Sequence, residues 1–125
     1  MAARLLSRFI KSAQANVAPM FAIAAIPMVV AMGGVVDYTN AYDQQTVVQD
    51  AMDSAALAAG KKIGLLTMAQ LKIEVDNYYY SNVAARLAHP PALQVALQTS
   101  TITLTTDLGV PTYFLGLIGL HWINF

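Results

Sequence analysis

Two histidines, a pair of helix-spaced aspartates and a run of three tyrosines are the side chains best suited to chemistry in this 125-residue sequence. His89 and His121 stand far apart, without HxxxH spacing or a carboxylate beside either, which makes a poor metal-ligand set. His89 precedes Pro90-Pro91 and reads as a loop residue. His121 alternates with Trp122 in an apolar stretch and reads as structural. Asp50 and Asp53, three apart, share one face of a predicted helix, but no cation partners them, so they read as a solvated face. Tyr78-Tyr79-Tyr80 is a potential stacking platform for bases, yet no basic groove accompanies it. One tyrosine of the three is expected in the core and two at the surface. With no cysteine, disulfides, thiolate catalysis and cysteine-ligated metals are excluded. No phosphate-binding glycine loop and no GxSxG elbow occurs. The formal net charge of zero offers no field to draw in nucleic acid. The expectation is a non-enzymatic chain with no cofactor, no metal and no small-molecule substrate.

The elements that would position these groups begin with a membrane-length segment. Hydrophobic residues make up 57% of the chain and charged residues 11%, outside the usual range for a soluble domain. The excess concentrates between Val17 and Val36, and no charged side chain occurs from Ser12 to Val36. About 20 apolar residues suffice to cross ~30 Å of hydrocarbon as a helix. Pro27, mid-span, predicts a kink. Arg4, Arg8 and Lys11 precede the span and no cation follows it until Lys61, which predicts a cytoplasmic N-terminus. Asp37 is expected to mark where water begins, and Tyr38 and Tyr42 fit interfacial aromatics. The division expected is a basic N-terminus at 1–16, a transmembrane helix at 17–36 and an extramembrane α+β domain at 37–125. A cleaved secretory signal is the competing reading, although its apolar region usually runs only about 7–15 residues.

Beyond Asp37 the helical pattern continues to about Ala59. Ala41, Val48, Ala51, Met52, Ala55 and Ala59 form a narrow small-residue stripe, with Asp43, Thr46, Asp50 and Asp53 opposite. Gly60 reads as its C-cap. Thr67-Met-Ala-Gln70 has the form of a capping box, and Leu71, Val75, Tyr79, Val83 and Leu87 then recur every four residues. His89-Pro90-Pro91 is expected to stop that second helix. The period then becomes two. Leu93, Val95 and Leu97 form one strand; Ile102 and Leu104 form another on the opposite parity, implying a tight turn or bulge near Thr99-Ser100. Pro111 to Gly119 reads as a short helical turn, and His121 to Phe125 as a final strand. The fold class expected is α+β, with a long N-terminal transmembrane and amphipathic helix, a second helix and a small antiparallel β-sheet.

The order Ala15-Asn16-Val17-Ala18-Pro-Met-Phe21-Ala22, then Pro27, Gly34-Val-Val-Asp37-Tyr38, Tyr42, Gln49 and Asp53-Ser-Ala55-Ala56-Leu-Ala-Ala resembles the TadE/TadG-like proteins of the tight-adherence (Flp) pilus system, in particular the TadG-like branch. Tyr79-Tyr-Ser-Asn82 and Val110 to Leu120 are also similar to later segments of that family. The resemblance implies a pilin-like, non-enzymatic component of a bacterial pilus-assembly or secretion apparatus, single-pass in the inner membrane, with a periplasmic C-terminal domain and a part in adhesion. Its partners would be pilus-assembly proteins or pilin subunits. Members cut by a prepilin peptidase carry glycine before the cut and glutamate five residues on, where this chain has Ala15 and Met20; processing between Ala15 and Asn16 is therefore not the leading expectation. A processed minor pilin in the fibre is the alternative it leaves open. The long von Willebrand factor A-like domain of larger members and its DxSxS motif have no counterpart here. Small residues Ala18, Ala22, Ala25, Gly33 and Gly34, with the kink at Pro27, are expected to permit close lateral helix packing in the membrane.

Overall fold

The computed structural model describes residues 17–125. Helix α1 spans Val17–Gly60, 44 residues without a break. Pro27 lies inside it, and its missing N–H leaves one rung of the backbone ladder unmade. The predicted membrane segment and the predicted amphipathic helix are thus one continuous helix, about 66 Å of helical rise at 1.5 Å per residue. α1 ends at Gly60, but the left-handed residue of the following turn is Gly64 at φ 82°, which no side chain would favour. Leu65 and Leu66 both donate to the Lys62 carbonyl there, at 3.0 and 3.2 Å.

Helix α2 spans Met68–Ala84. Its capping box is complete: the Gln70 N–H donates to Thr67 Oγ1 at 3.3 Å and the Thr67 N–H to Gln70 Oε1 at 3.0 Å. The helix stops one turn short of the prolines, and Leu87 follows as a half-buried residue bonded back to Val83. α2 lies against the outer part of α1. The stripe Ala41, Val48, Ala51, Ala55 and Ala59 meets Leu71, Val75, Tyr79 and Val83, and this is the core. Alanine on α1 lets the larger α2 side chains sit close to the α1 backbone. Tyr79 is fully buried, with Tyr78 and Tyr80 at the surface. Its hydroxyl donates to the Pro91 carbonyl at 3.1 Å, so the polar tip is not stranded in the core. Lys62, in the turn after α1, pairs with Glu74 of α2 at 2.7 Å in a partly exposed ion pair.

Strands β1 (Leu93–Leu97) and β2 (Ile102–Thr106) form an antiparallel hairpin. Leu97 pairs with Ile102 and Val95 with Leu104. The parity change is therefore an even-length turn, closed by Gln98 donating to Thr101 at 2.8 Å, rather than a bulge. Strands β3 (Gly109–Pro111) and β4 (Trp122–Asn124) form a second antiparallel hairpin, separated by a 3₁₀ turn at Leu115–Ile118. The class is α+β, with two separate two-stranded sheets in place of the single small sheet expected. Strand β3 escaped the sequence reading because three residues, one of them proline, carry too little alternation to register.

The second hairpin runs down α1. Leu108 and Phe125, at its base, line a shallow groove with Val48 and Met52 of α1. Its far end meets α1 at Asp37, Gly34 and Gly33. From Val48 to Gly33 is about 22 Å along a helix, so the hairpin points toward the apolar N-terminal half of α1.

Candidate functional site

The most specific polar arrangement is built on Asp37. It is 2% exposed, the sole buried charged side chain among the described residues. Its Oδ1 accepts the Tyr113 N–H at 3.0 Å; its Oδ2 accepts those of Phe114 and Leu115 at 2.8 and 2.7 Å. These donors open the 3₁₀ turn, where successive N–H groups have no intrahelical acceptor. Burial raises the Asp37 carboxyl, and the bonds from Leu115, Tyr113 and Phe114 more than offset it, leaving the group below its ordinary 3.8. Asp37 follows the apolar run but its carboxylate is buried rather than solvated. It clasps the C-terminal hairpin to the helix. The available signal was its spacing: Gly33, Asp37 and Ala41 recur every four residues on the stripe that is buried throughout.

The two glycines N-terminal to Asp37 complete the clasp. A Cβ on Gly33 would overlap Phe114 Cβ and Cγ and lie 2.7 Å from Cδ1. A Cβ on Gly34 would meet only Leu115 Cδ2, at 3.1 Å. At these glycines the chain's own hairpin makes a close approach to α1. Gly33 is buried and Gly34 half-buried.

The remaining predicted positions separate into two groups. Val17, Ala18, Phe21, Ala22 and Pro27 are exposed, and Ala25 is half-buried. Tyr38 and Tyr42 are exposed and stacked, with ring centroids 6.4 Å apart. Gln49 borders the groove beside Phe125, Asp53 is exposed, Ala55 is buried in the helix pair and Ala56 half-buried beside it. The cationic N-terminus and the Ala15–Asn16 position lie outside the described residues. His89 and His121 are both exposed. Asp50 faces outward, its Oδ2 3.9 Å from Arg86 Nη1. Among the described residues, no three histidine, aspartate or glutamate side chains gather as metal ligands would. The chemistry on offer is surface contact: a long apolar helix face and a hairpin held beside it.

One described helix, α1, is long and apolar enough to cross a membrane, and its most apolar window is almost wholly uncovered by the rest of the chain. That exposure distinguishes it from the core helix of a soluble protein, which passes the same test of length and composition. Comparison with curated proteins and with solved structures returns no match. A family model does match, that of the putative Flp pilus-assembly TadE/G-like proteins, over residues 15–62. The matched segment is α1 and the first residues of the turn after it, including Asp37, Gly33 and the alanine stripe. Over residues 15–62, and so over α1, the chain is similar to the TadE/G-like proteins of Flp pilus assembly.

Proposed function

We propose that this protein is a non-enzymatic, single-pass component of a Flp/Tad-type pilus-assembly apparatus, anchored in the bacterial inner membrane. The observation that carries the reading is the continuity of α1. Its N-terminal half is apolar and uncovered, and its C-terminal half is the support on which α2 and both hairpins pack. Residues 17–36 would lie in the bilayer and 37–125 in the periplasm, with the basic N-terminus cytoplasmic. The role is structural, in pilus biogenesis and adhesion, through lateral contact with assembly proteins or pilin subunits.

The uncovered face bearing Ala18, Ala22 and Ala25 is the surface offered for that contact, since small residues let helix backbones approach closely in lipid. Gly33 and Gly34 also contact the hairpin, through Phe114 and Leu115. Carbonate extraction of membranes, combined with external protease, tests the anchor. The full chain should resist extraction, and its C-terminal domain alone should be cleaved in spheroplasts. Release by carbonate would refute the reading. Leucine at Ala18 and Ala22 should reduce piliation while insertion is unaffected; normal piliation would remove the proposed contact face. A processed minor pilin would also present an uncovered helix half, and N-terminal sequencing separates the two: an intact N-terminus supports the anchor, a start at Asn16 the fibre subunit.

A further inference from the structure

From Leu108 to Phe125 the sequence contains no aspartate, glutamate, lysine or arginine. The hairpin made from this stretch ends in side chains that the rest of the protein leaves uncovered. Leu117 is 75% exposed, Tyr113 73% and Trp122 61%, with Ile118 and Leu120 also more than half exposed. A patch this apolar on a small domain calls for a partner.

Three observations identify that partner as lipid. The first is position. The tip is fixed to α1 at Asp37, Gly34 and Gly33, and Gly33 is roughly one helical turn inside the apolar segment that ends at Val36. Whatever bathes Met32, Val35 and Val36, which are all exposed, also bathes the tip. The second is backbone satisfaction. The N–H groups of Tyr113, Phe114 and Leu115 go to Asp37. Those of Leu117, Gly119 and Leu120 go to carbonyls within the turn, at 3.1, 3.1 and 3.0 Å. A turn that pairs its own backbone can enter a layer poor in water, where an unpaired group costs several kcal/mol. The third is composition. Tyrosine and tryptophan flank the leucine and isoleucine of the tip, as Tyr38 and Tyr42 flank the apolar half of α1, and these rings favour the headgroup level.

We infer that the Tyr113–Trp122 tip of the hairpin is a second membrane contact, inserted into the interfacial layer of the outer leaflet beside α1. Two contacts would fix the tilt and rotation of the domain on the bilayer, which a single helix leaves free. The inference rests on the membrane anchoring proposed above, and its test keeps the two apart.

Trp122 is the chain's single tryptophan, so its emission reports on the tip alone. The full-length protein is reconstituted in phosphatidylethanolamine–phosphatidylglycerol vesicles, plain or brominated near the headgroup or near the acyl terminus. Blue-shifted emission is expected, with loss of intensity for shallow bromines and little for deep ones. In the doubly substituted Leu117→Asp, Ile118→Asp chain the shift and the quenching should both be lost while carbonate still fails to extract it. Both residues are exposed, so their replacement leaves the core untouched. A wild-type chain that stays in the membrane with water-like, unquenched Trp122 emission overturns the inference alone. Blue-shifted emission that bromines do not quench also overturns it, since a protein copy then covers the tip. Release of the wild-type chain by carbonate overturns both this inference and the anchor.

Discussion

Replacing Gly33 by alanine adds one methyl group at the point where the C-terminal hairpin rests on α1. The new Cβ would overlap Phe114 Cβ and Cγ. The Phe114 Cβ is fixed by its own backbone, so a rotamer change, which moves only Cγ and the ring, cannot clear it and the hairpin must lift. Overpacking of this kind costs about 1–3 kcal/mol. It is partly offset by helix propensity, where alanine gains about 1 kcal/mol over glycine. The Gly34→Ala variant provides the reference. It gains the same propensity, and its neighbour, Leu115 Cδ2 at 3.1 Å, is the end of a flexible side chain that can turn away. Comparing the two cancels the helix contribution and leaves about 1–3 kcal/mol, or roughly 5- to 150-fold in the docking equilibrium. Hydrogen exchange of the Tyr113, Phe114 and Leu115 amides, the donors to Asp37, reads that equilibrium. Exchange should be faster in Gly33→Ala than in Gly34→Ala by that factor. Adding Phe114→Gly should relieve the clash, whereas Phe114→Ala, which keeps the Cβ, should relieve it only in part. Equal exchange in the two alanine variants would refute the close-approach argument.

Two further outcomes follow from the same geometry. Asp37→Asn removes the negative charge and turns an amide NH₂ toward backbone donors, so exchange at those three amides should quicken, and unchanged protection would dismiss the clasp. The Asp37 carboxyl is held below its ordinary 3.8 in the folded chain, so its contribution is complete above that pH and is lost as the pH falls through the lower folded value. Protection of the tip amides should therefore persist at neutral pH and decline below about pH 4 in the wild type, but show no such acid limb in Asp37→Asn. Tyr79 fills the helix pair with its ring and satisfies the Pro91 carbonyl with its hydroxyl. Denaturant unfolding in detergent micelles should show a loss of about 0.5–1.5 kcal/mol for Tyr79→Phe and about 3–5 kcal/mol for Tyr79→Ala. Similar values for the two would mean that the ring contributes nothing beyond the hydrogen bond.

What the sequence determined by itself was whatever depends on neighbours within one helical turn or one strand step. The uncharged run to Val36, the Thr67–Gln70 cap, the four-residue recurrence from Leu71 to Val83 and the alternation in β1 and β2 are such local patterns, and the structure contains them all. The TadE/G-like resemblance lies in the same class, because the matched residues are almost entirely one helix. Only the tertiary structure could decide what covers the stripe on α1. Asp37 meets its donors 76 to 78 residues away, and Gly33 meets Phe114. Read locally, an aspartate after an apolar run belongs in water, and a glycine pair in a membrane helix invites another helix. A carboxylate can be buried when backbone donors surround it, and those donors arrive only once the second hairpin lies along α1. That same placement puts an apolar tip beside the apolar half of α1, a juxtaposition that the residues taken singly do not reveal.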